Sequence, residues 1–527
     1  MRLLDVKSLQ LEEFVTQRAP KYAILSHTWE DEEISFKEMS DLPSESRTKK
    51  GYKKITATCR IALQDGYDYV WIDTCCIDKS SSAELTEAIN SMFRWYQRAD
   101  ICYAYLSDLP VATSLDAVSI NAELRNCRYF TRGWTLQELI APREVVFFDQ
   151  DWQIRGSRST LAGLLSDVTG IKTSILKRQA PLSSICVAQK LSWAASRNTT
   201  RIEDTAYCLL GIFDVNMPLL YGEEEKAFRR LQYEIIKGVA DMSIFSWQLS
   251  RPIESGAHCS SPNLSPRRTF CGLLADSPRA FAQCGSIERL LHHHRADFSV
   301  SNNGIKTRLR LVLEPILNRQ GDRYMLPLDC VSKYDELIAI RLRKCGADQF
   351  VREDPWSTVN INRRLIHDRS LEQYLLIDLP QLTSFGHEGG TSRIIEKMRS
   401  SVLRIKLPKD FFIYDAWDGA RFDDEDYLFF VTTDVSYDLS VLRLKGTFRV
   451  EFQGRNVIVG IDLLCYALGW SSASEDDYGF QYTLLDYKVH EPTISELQSQ
   501  ISTWDLGSID VLRWLLYHRI PRSYTYL

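Results

Sequence analysis

At 527 residues and 60.8 kDa the chain exceeds the size at which one hydrophobic core keeps growing, so two or more domains are expected. Hydrophobic residues at 44% and charged residues at 25% are ordinary for a globular protein and argue against long disorder. A formal net charge of -5 supplies no basic field for phosphates, so nucleic acid is not an expected partner. The start, Met1 to Lys7, has no apolar run long enough for a secretion signal, and no apolar stretch of about 18 residues follows. A cytoplasmic protein without a membrane span is the expectation. The 13 cysteines are scattered singly apart from Cys75-Cys76, without the CxxC pairs of a zinc site, so reduced buried thiols and no metal are expected.

In chain order, Tyr22 to Ser26 predicts a strand, Tyr52 to Asp65 a helix and Tyr69 to Asp73 a second strand. Glu84 to Arg98 is the clearest helix, because Leu85, Ala88, Ile89, Met92, Phe93 and Tyr96 recur at helical spacing, with Ser81 and Glu84 as a capping box. Strand Ile101 to Leu106, helix Trp134 to Ile140 and strand Val145 to Asp149 complete a βαβ alternation, which implies a parallel sheet covered by helices. Ligands of such sheets bind at the carboxyl ends of strands, where Ser26 to Trp29 and Asp73 to Cys76 lie.

Residues 180 to 240 read as helical, closing with an amphipathic helix from Glu223 to Lys237. A Ser- and Pro-rich break near Arg251 to Arg268 suggests a boundary. Beyond it, Ile305, Thr307, Leu309, Leu311 and Leu313 alternate with Lys306, Arg308 and Arg310, and Phe448 to Leu464 alternates similarly. The expected organisation is therefore an α/β domain over 1–155, a helical segment over 156–250 and a β-rich sandwich or barrel over 251–527.

Tyr22 to Trp29 with Phe36, Trp71 to Tyr105, and Phe130 to Trp152 resemble the three blocks of the fungal heterokaryon incompatibility (HET) domain family. The resemblance extends through Trp193 to Leu231, where Arg201 to Tyr207 and Pro218 to Glu223 are similar to the stretch that often follows the domain. It covers roughly the first half of the chain well and the second half loosely. It implies non-self recognition between fungal strains, with growth arrest or programmed cell death as the output. HET domains are in turn distantly similar to TIR domains, some of which cleave NAD through a glutamate in a Trp-Cys-x-x-Glu-Leu motif. Here Trp134-Thr135-Leu136-Gln137-Glu138-Leu139 has that spacing, with threonine where cysteine is common. The likeness implies a TIR-like, flavodoxin-like parallel sheet with helices on both faces.

Breaking the bond between nicotinamide and ribose builds positive charge on the sugar, which one fixed carboxylate stabilises as in glycoside hydrolysis. Glu138 suits that catalytic role, with Ser26 and Asp73 at strand ends to bond ribose hydroxyls. Trp29 or Trp134 can stack on a flat base and Arg132 can pair with a phosphate. His27 and Cys76 border the same strand ends and join the substrate-binding set, against plainer readings as a sheet-end hydrogen bonder and a buried thiol. Ser26 and His27, like Cys75 and Cys76, are expected to face apart, and Asp73 and Asp78 with Lys79 to cap the next helix as readily as bind a ligand. Glu138, Trp29 and Asp73 are expected to share one cleft.

The triplet His292-His293-His294 reads as an exposed polar stretch, the run Asp423-Asp424-Glu425-Asp426 as a solvated loop, and there is no P-loop. No cofactor is required, with NAD or a related nucleotide as the substrate. Three readings stay open: a cell-death effector acting as a TIR-type NAD glycohydrolase, a non-catalytic module that self-associates and senses a ligand or protein partner, and a scaffold recruited as a biosynthetic enzyme of secondary metabolism acting on a small molecule.

Overall fold

A computed structural model describes residues 1–111, 122–250, 270–290, 298–301, 304–309, 312–313, 323–346 and 349–361, and then strands alone, the last ending at His490. The first 157 residues build a seven-stranded sheet from β1 (Arg2–Asp5), β2 (Leu11–Glu13), β3 (Tyr22–His27), β4 (Tyr69–Trp71), β5 (Ile101–Tyr105), β6 (Val145–Phe148) and β7 (Ile154–Ser157). Its order is β2-β1-β4-β3-β5-β6-β7. Strands β4, β3, β5 and β6 are mutually parallel, as the alternation of strands and helices requires.

The sheet as a whole is mixed, which corrects the expectation of an all-parallel one. β1 and β2 form an antiparallel hairpin on β4, with Leu4 opposite Val70, and β7 pairs antiparallel with β6. These strands escape a periodicity reading because each is three or four residues long and buries at most its central pair. Their addition moves the edges of the sheet away from β4 and β6. All six residues of β3 are buried, so both faces of that strand are covered.

Helices α1 (Phe36–Asp41), α2 (Lys50–Gln64), α3 (Ser82–Arg98) and α4 (Thr135–Ile140) connect these strands. In α3 the apolar stripe is buried as expected at Ala88, Ile89, Met92 and Tyr96, with Trp95 beside it. Its cap differs. The Ser81 hydroxyl accepts from the Glu84 N–H, but the Glu84 carboxyl takes the Asp78 N–H at 2.8 Å and pairs with Arg2, so the capping box is half formed. The chain runs from β3 to β4 on one side and crosses to β5 on the other. The carboxyl end of β3 is thus a topological switch point, where doubly wound sheets bind ligands.

Six helices follow: α5 (Ala162–Thr169), α6 (Thr173–Leu176), α7 (Val187–Ser192), α8 (Asp204–Tyr207), α9 (Leu210–Phe213) and α10 (Lys226–Gly238). α10 buries Phe228, Leu231, Ile235 and Ile236 along one stripe, the amphipathic helix the sequence announces. α9 approaches α3 at Gly211, where an added Cβ would lie 2.0 Å from the Cβ of Phe93.

Beyond residue 270 the described structure is strand-rich, with sheets of ten, three and five strands. The two alternating stretches each divide between strands. Gly304–Leu309 pairs with Phe298–Ser301 and Leu371–Leu375, while Val312–Leu313 pairs with Arg323–Val331; Val441–Phe452 and Arg455–Ala467 form an antiparallel pair. Buried Arg352 ties the ten-stranded sheet to the helical segment by donating to the Phe245 and Trp247 carbonyls and lying 3.8 Å over the Trp247 ring. The Arg251 to Arg268 break, the histidine triplet and Asp424 to Asp426 lie outside the described residues. Among the described residues no helix is long and apolar enough to cross a membrane, and no cluster of His, Cys, Asp and Glu could hold a metal ion.

Candidate functional site at the carboxyl end of the third strand

Two side-chain clusters meet at the end of β3, one on Ser26 and one on His27, whose side chains part as alternation along a strand requires. Ser26 donates to Glu138 Oε2 at 2.5 Å and shares a 2.8 Å hydrogen bond with the Tyr129 hydroxyl. Since Ser26 gives its hydrogen to Glu138, Tyr129 donates to Ser26. The Tyr96 hydroxyl, from the apolar stripe of α3, donates to the Leu25 carbonyl at 2.9 Å and also touches Glu138. Glu138 is 4% exposed. Burial, reinforced by the negative charge of Asp73, pushes its carboxyl up to about 8, against hydrogen bonds from Ser26 and Tyr96 and the charge of Arg132. It is therefore mostly protonated at neutral pH.

The second cluster runs from the interior to the surface. His27 Nε2 meets Asp73 Oδ1 at 3.0 Å, and its Nδ1 meets the Lys54 ammonium at 2.8 Å. Lys54 also pairs with Glu33. Asp73 Oδ2 accepts the indole N–H of Trp29 at 2.7 Å. Burial would raise the Asp73 carboxyl, but the hydrogen bond of His27, the charge of Lys79 and the Trp29 N–H outweigh it and hold it at about 2. Two carboxyls with opposite perturbations, one neutral and one ionised, thus stand at the same strand end, an arrangement shared by functional sites and by structural ion-pair networks.

The structure brings Glu138, Ser26, His27, Asp73 and Trp29 together, with Arg132 within electrostatic reach of Glu138. Trp134 is engaged elsewhere: its indole N–H donates to Asp204 at 3.3 Å, and Tyr221 binds the other oxygen of that carboxylate. Cys76 is turned inward, its sulfur accepting from the Ile72 N–H, and Cys75 hydrogen-bonds it rather than facing apart. These cysteines lie in a turn after β4, where strand alternation does not apply. Asp73 caps no helix.

Sequence reasoning missed Tyr129, Tyr96, Lys54 and Glu33. One signal was available for Lys54: it is the only charged residue on the stripe that α2 buries with Gly51, Ile55, Thr58, Cys59 and Ala62. Gly51 lets that helix begin against the strand-to-helix loop, since a Cβ there would lie 2.5 Å from the Glu32 carbonyl oxygen. Removing the cation strands Glu33 and frees His27, so Lys54→Met is expected to cost about 3 kcal/mol in denaturant unfolding. A variant as stable as the parent would show that Lys54 carries no such role.

Residues 131–135, which lead into the Glu138 helix, are gripped by the helical segment. Arg197 donates to the Arg132 carbonyl at 2.7 Å and the Thr135 hydroxyl at 3.0 Å, and Gly133 N–H donates to the Asn198 carbonyl at 2.8 Å. A Cβ on Gly133 would lie 2.5 Å from Thr199 Cγ2, so glycine is what allows this contact.

Comparison with known proteins adds two family matches and one similar protein. Residues 22–123 match the family described as Heterokaryon incompatibility protein (HET), and residues 226–322 match a domain of unknown function (DUF8212). The chain is similar to Vegetative incompatibility protein HET-E-1 of Podospora anserina, 48% identical over 229 residues that make up 42% of this chain. It spans 16% of that relative's length. No solved structure matches.

Proposed function

We propose that this chain, whose residues 22–123 match the heterokaryon incompatibility (HET) family, acts in vegetative incompatibility, as a cell-death effector whose N-terminal domain, TIR-like in function, cleaves the base-ribose bond of NAD or a related nucleotide. The observation that carries the reading is the pairing of a buried, protonated Glu138 with an ionised Asp73 at the switch point.

In such a reaction the bond between C1′ of the ribose and the pyridinium nitrogen breaks, and its electron pair leaves with the base. Nicotinamide departs neutral and needs no proton. The sugar is left positive, and water adds to it and loses a proton. Ionised Glu138 facing C1′ stabilises that charge, and the approach of a cationic substrate favours its ionisation. Ser26, between Tyr129 and Glu138, orients the carboxyl. Arg132 has no hydrogen-bond partner of its own among the described side chains, which leaves its guanidinium for a phosphate.

The test is release of free base from NAD, its 2′-phosphate and related dinucleotides by the purified full chain, concentrated to promote self-association. Stoichiometric nicotinamide and ADP-ribose products are expected. No release from any of them would sink the catalytic reading. A second reading, a self-associating module without catalysis, draws on the near-complete burial of Glu138, and the same null result would favour it.

A further inference from the structure

Trp29 is 41% exposed, yet its edge and face are both engaged. Its N–H is fixed by Asp73 at 2.7 Å, and the Lys79 ammonium sits 3.7 Å from the ring centroid. Lys79 is exposed as a residue, but its charged end leans on the indole, and desolvation there pulls its pKa below the ordinary lysine range against the attraction of Asp73. A π face beside a carboxylate is a receptor for a cation, the face contributing through its quadrupole and the carboxylate through its charge.

Lys79 is held there by the indole face and by the charges of Asp73 and, more weakly, Glu33. No hydrogen bond or ion pair fixes its ammonium among the described residues, so it can return to water at little cost. Asp73 is pinned from behind by His27, Lys54 and Glu33, so the receptor persists when the lysine leaves. We propose that Trp29 and Asp73 form a binding site for a flat heteroaromatic cation of the pyridinium class, and that Lys79 is a tethered cation occupying that site until the ligand displaces it. The choice of a flat ring follows from the geometry: a single indole platform offers full contact to a planar cation, whereas a tetrahedral ammonium needs several rings around it. The inference rests on the nucleotide reading above only in that the base of NAD is such a cation; the receptor stands on its own geometry.

Calorimetric titration of the full chain with 1-methylnicotinamide, read together with the charge-transfer absorption of a pyridinium stacked on indole, tests it. Binding with a charge-transfer band is expected. Lys79→Met should tighten it about tenfold by removing the competitor, and Asp73→Asn should weaken it about tenfold. Trp29→Leu, at an exposed position that leaves the fold intact, should abolish the band. Neutral nicotinamide and tetramethylammonium should each bind at least tenfold more weakly. Equal binding of either, an unchanged band in Trp29→Leu, or no gain in Lys79→Met would overturn the proposal. Nucleotide turnover measured on the same samples separates the two ideas. Cation binding without turnover removes the glycohydrolase and keeps the receptor, and turnover without cation binding at Trp29 does the reverse.

Discussion

Glu138→Gln is expected to lower nucleotide cleavage by about 10²–10³-fold, the range for removing one preorganised group that stabilises transition-state charge, while making the protein more stable above neutral pH. The glutamine oxygen can still accept from Ser26, so the fold is kept and only the ionisable function is lost. The sign of the stability change follows from the raised carboxyl. Glu138 titrates at about 8 in the folded chain instead of its ordinary 4.5, so its contribution to stability is fully present below about pH 4.5 and is lost as pH rises through 8. Glutamine has no such loss. The variant therefore gains on the parent across that window, by on the order of 5 kcal/mol at most. Thermal unfolding at pH 5 and pH 9 checks it, and a variant that is less stable than the parent at pH 9 would contradict a neutral Glu138. In the parent, kcat/KM should climb tenfold per pH unit below about 8 and level off above it, because the free protein must ionise this group to act. Asp73 has the opposite sign: its carboxyl sits at about 2, so its contribution is present above about pH 4 and disappears as pH falls toward 2.

Gly211→Ala is expected to cost about 3 kcal/mol or more, at the upper end of the usual loss for overpacking, because the new methyl would sit 2.0 Å from Phe93 Cβ and 2.4 Å from its Cγ. Neither atom is the far end of a flexible chain. The helix itself must move, and α3 carries Tyr96, which touches Glu138. A Phe93→Gly change in the same molecule removes both of those atoms, so the double variant should recover part of what the two single changes lose separately. Denaturant midpoints of the four proteins measure this directly. Additive losses would mean that the two residues do not meet.

The central strands and α3 were legible because each has a clear period and enough length to show it. β1 and β2 were not: Arg2–Asp5 buries two residues and Leu11–Glu13 none fully, so no alternation can register. The Ser81–Glu84 box was only half right, because Arg2, distant in sequence, and the Asp78 N–H hold the glutamate. Glu138, Ser26, Asp73, His27 and Trp29 were readable as strand-end and helix-start chemistry. Trp134 was not, since the same motif tryptophan serves as a donor to Asp204, seventy residues later. Tyr129 could not be singled out locally; its role appears only when the short 3-10 helix Arg128–Thr131 brings its hydroxyl to Ser26.

The grip of Arg197 and Asn198 on residues 131–135 sets how far the heritable unit of this domain extends. The family-matched stretch, 22–123, holds Ser26, His27, Trp29 and Asp73 but neither Glu138 nor the segment that orients its helix. Recombination between relatives that transplants that stretch alone separates Ser26 from the Glu138 carboxyl it bonds. An exchange whose junctions fall before β1 and after Tyr221, the partner of Asp204, moves Ser26, Asp73, Glu138 and residues 197–198 together. The block does not stop there, since Arg279 donates to the Asn198 side chain at 3.0 Å and Gln189 to the Gly285 carbonyl at 2.6 Å, so the grip on the Glu138 helix is itself braced from beyond residue 270.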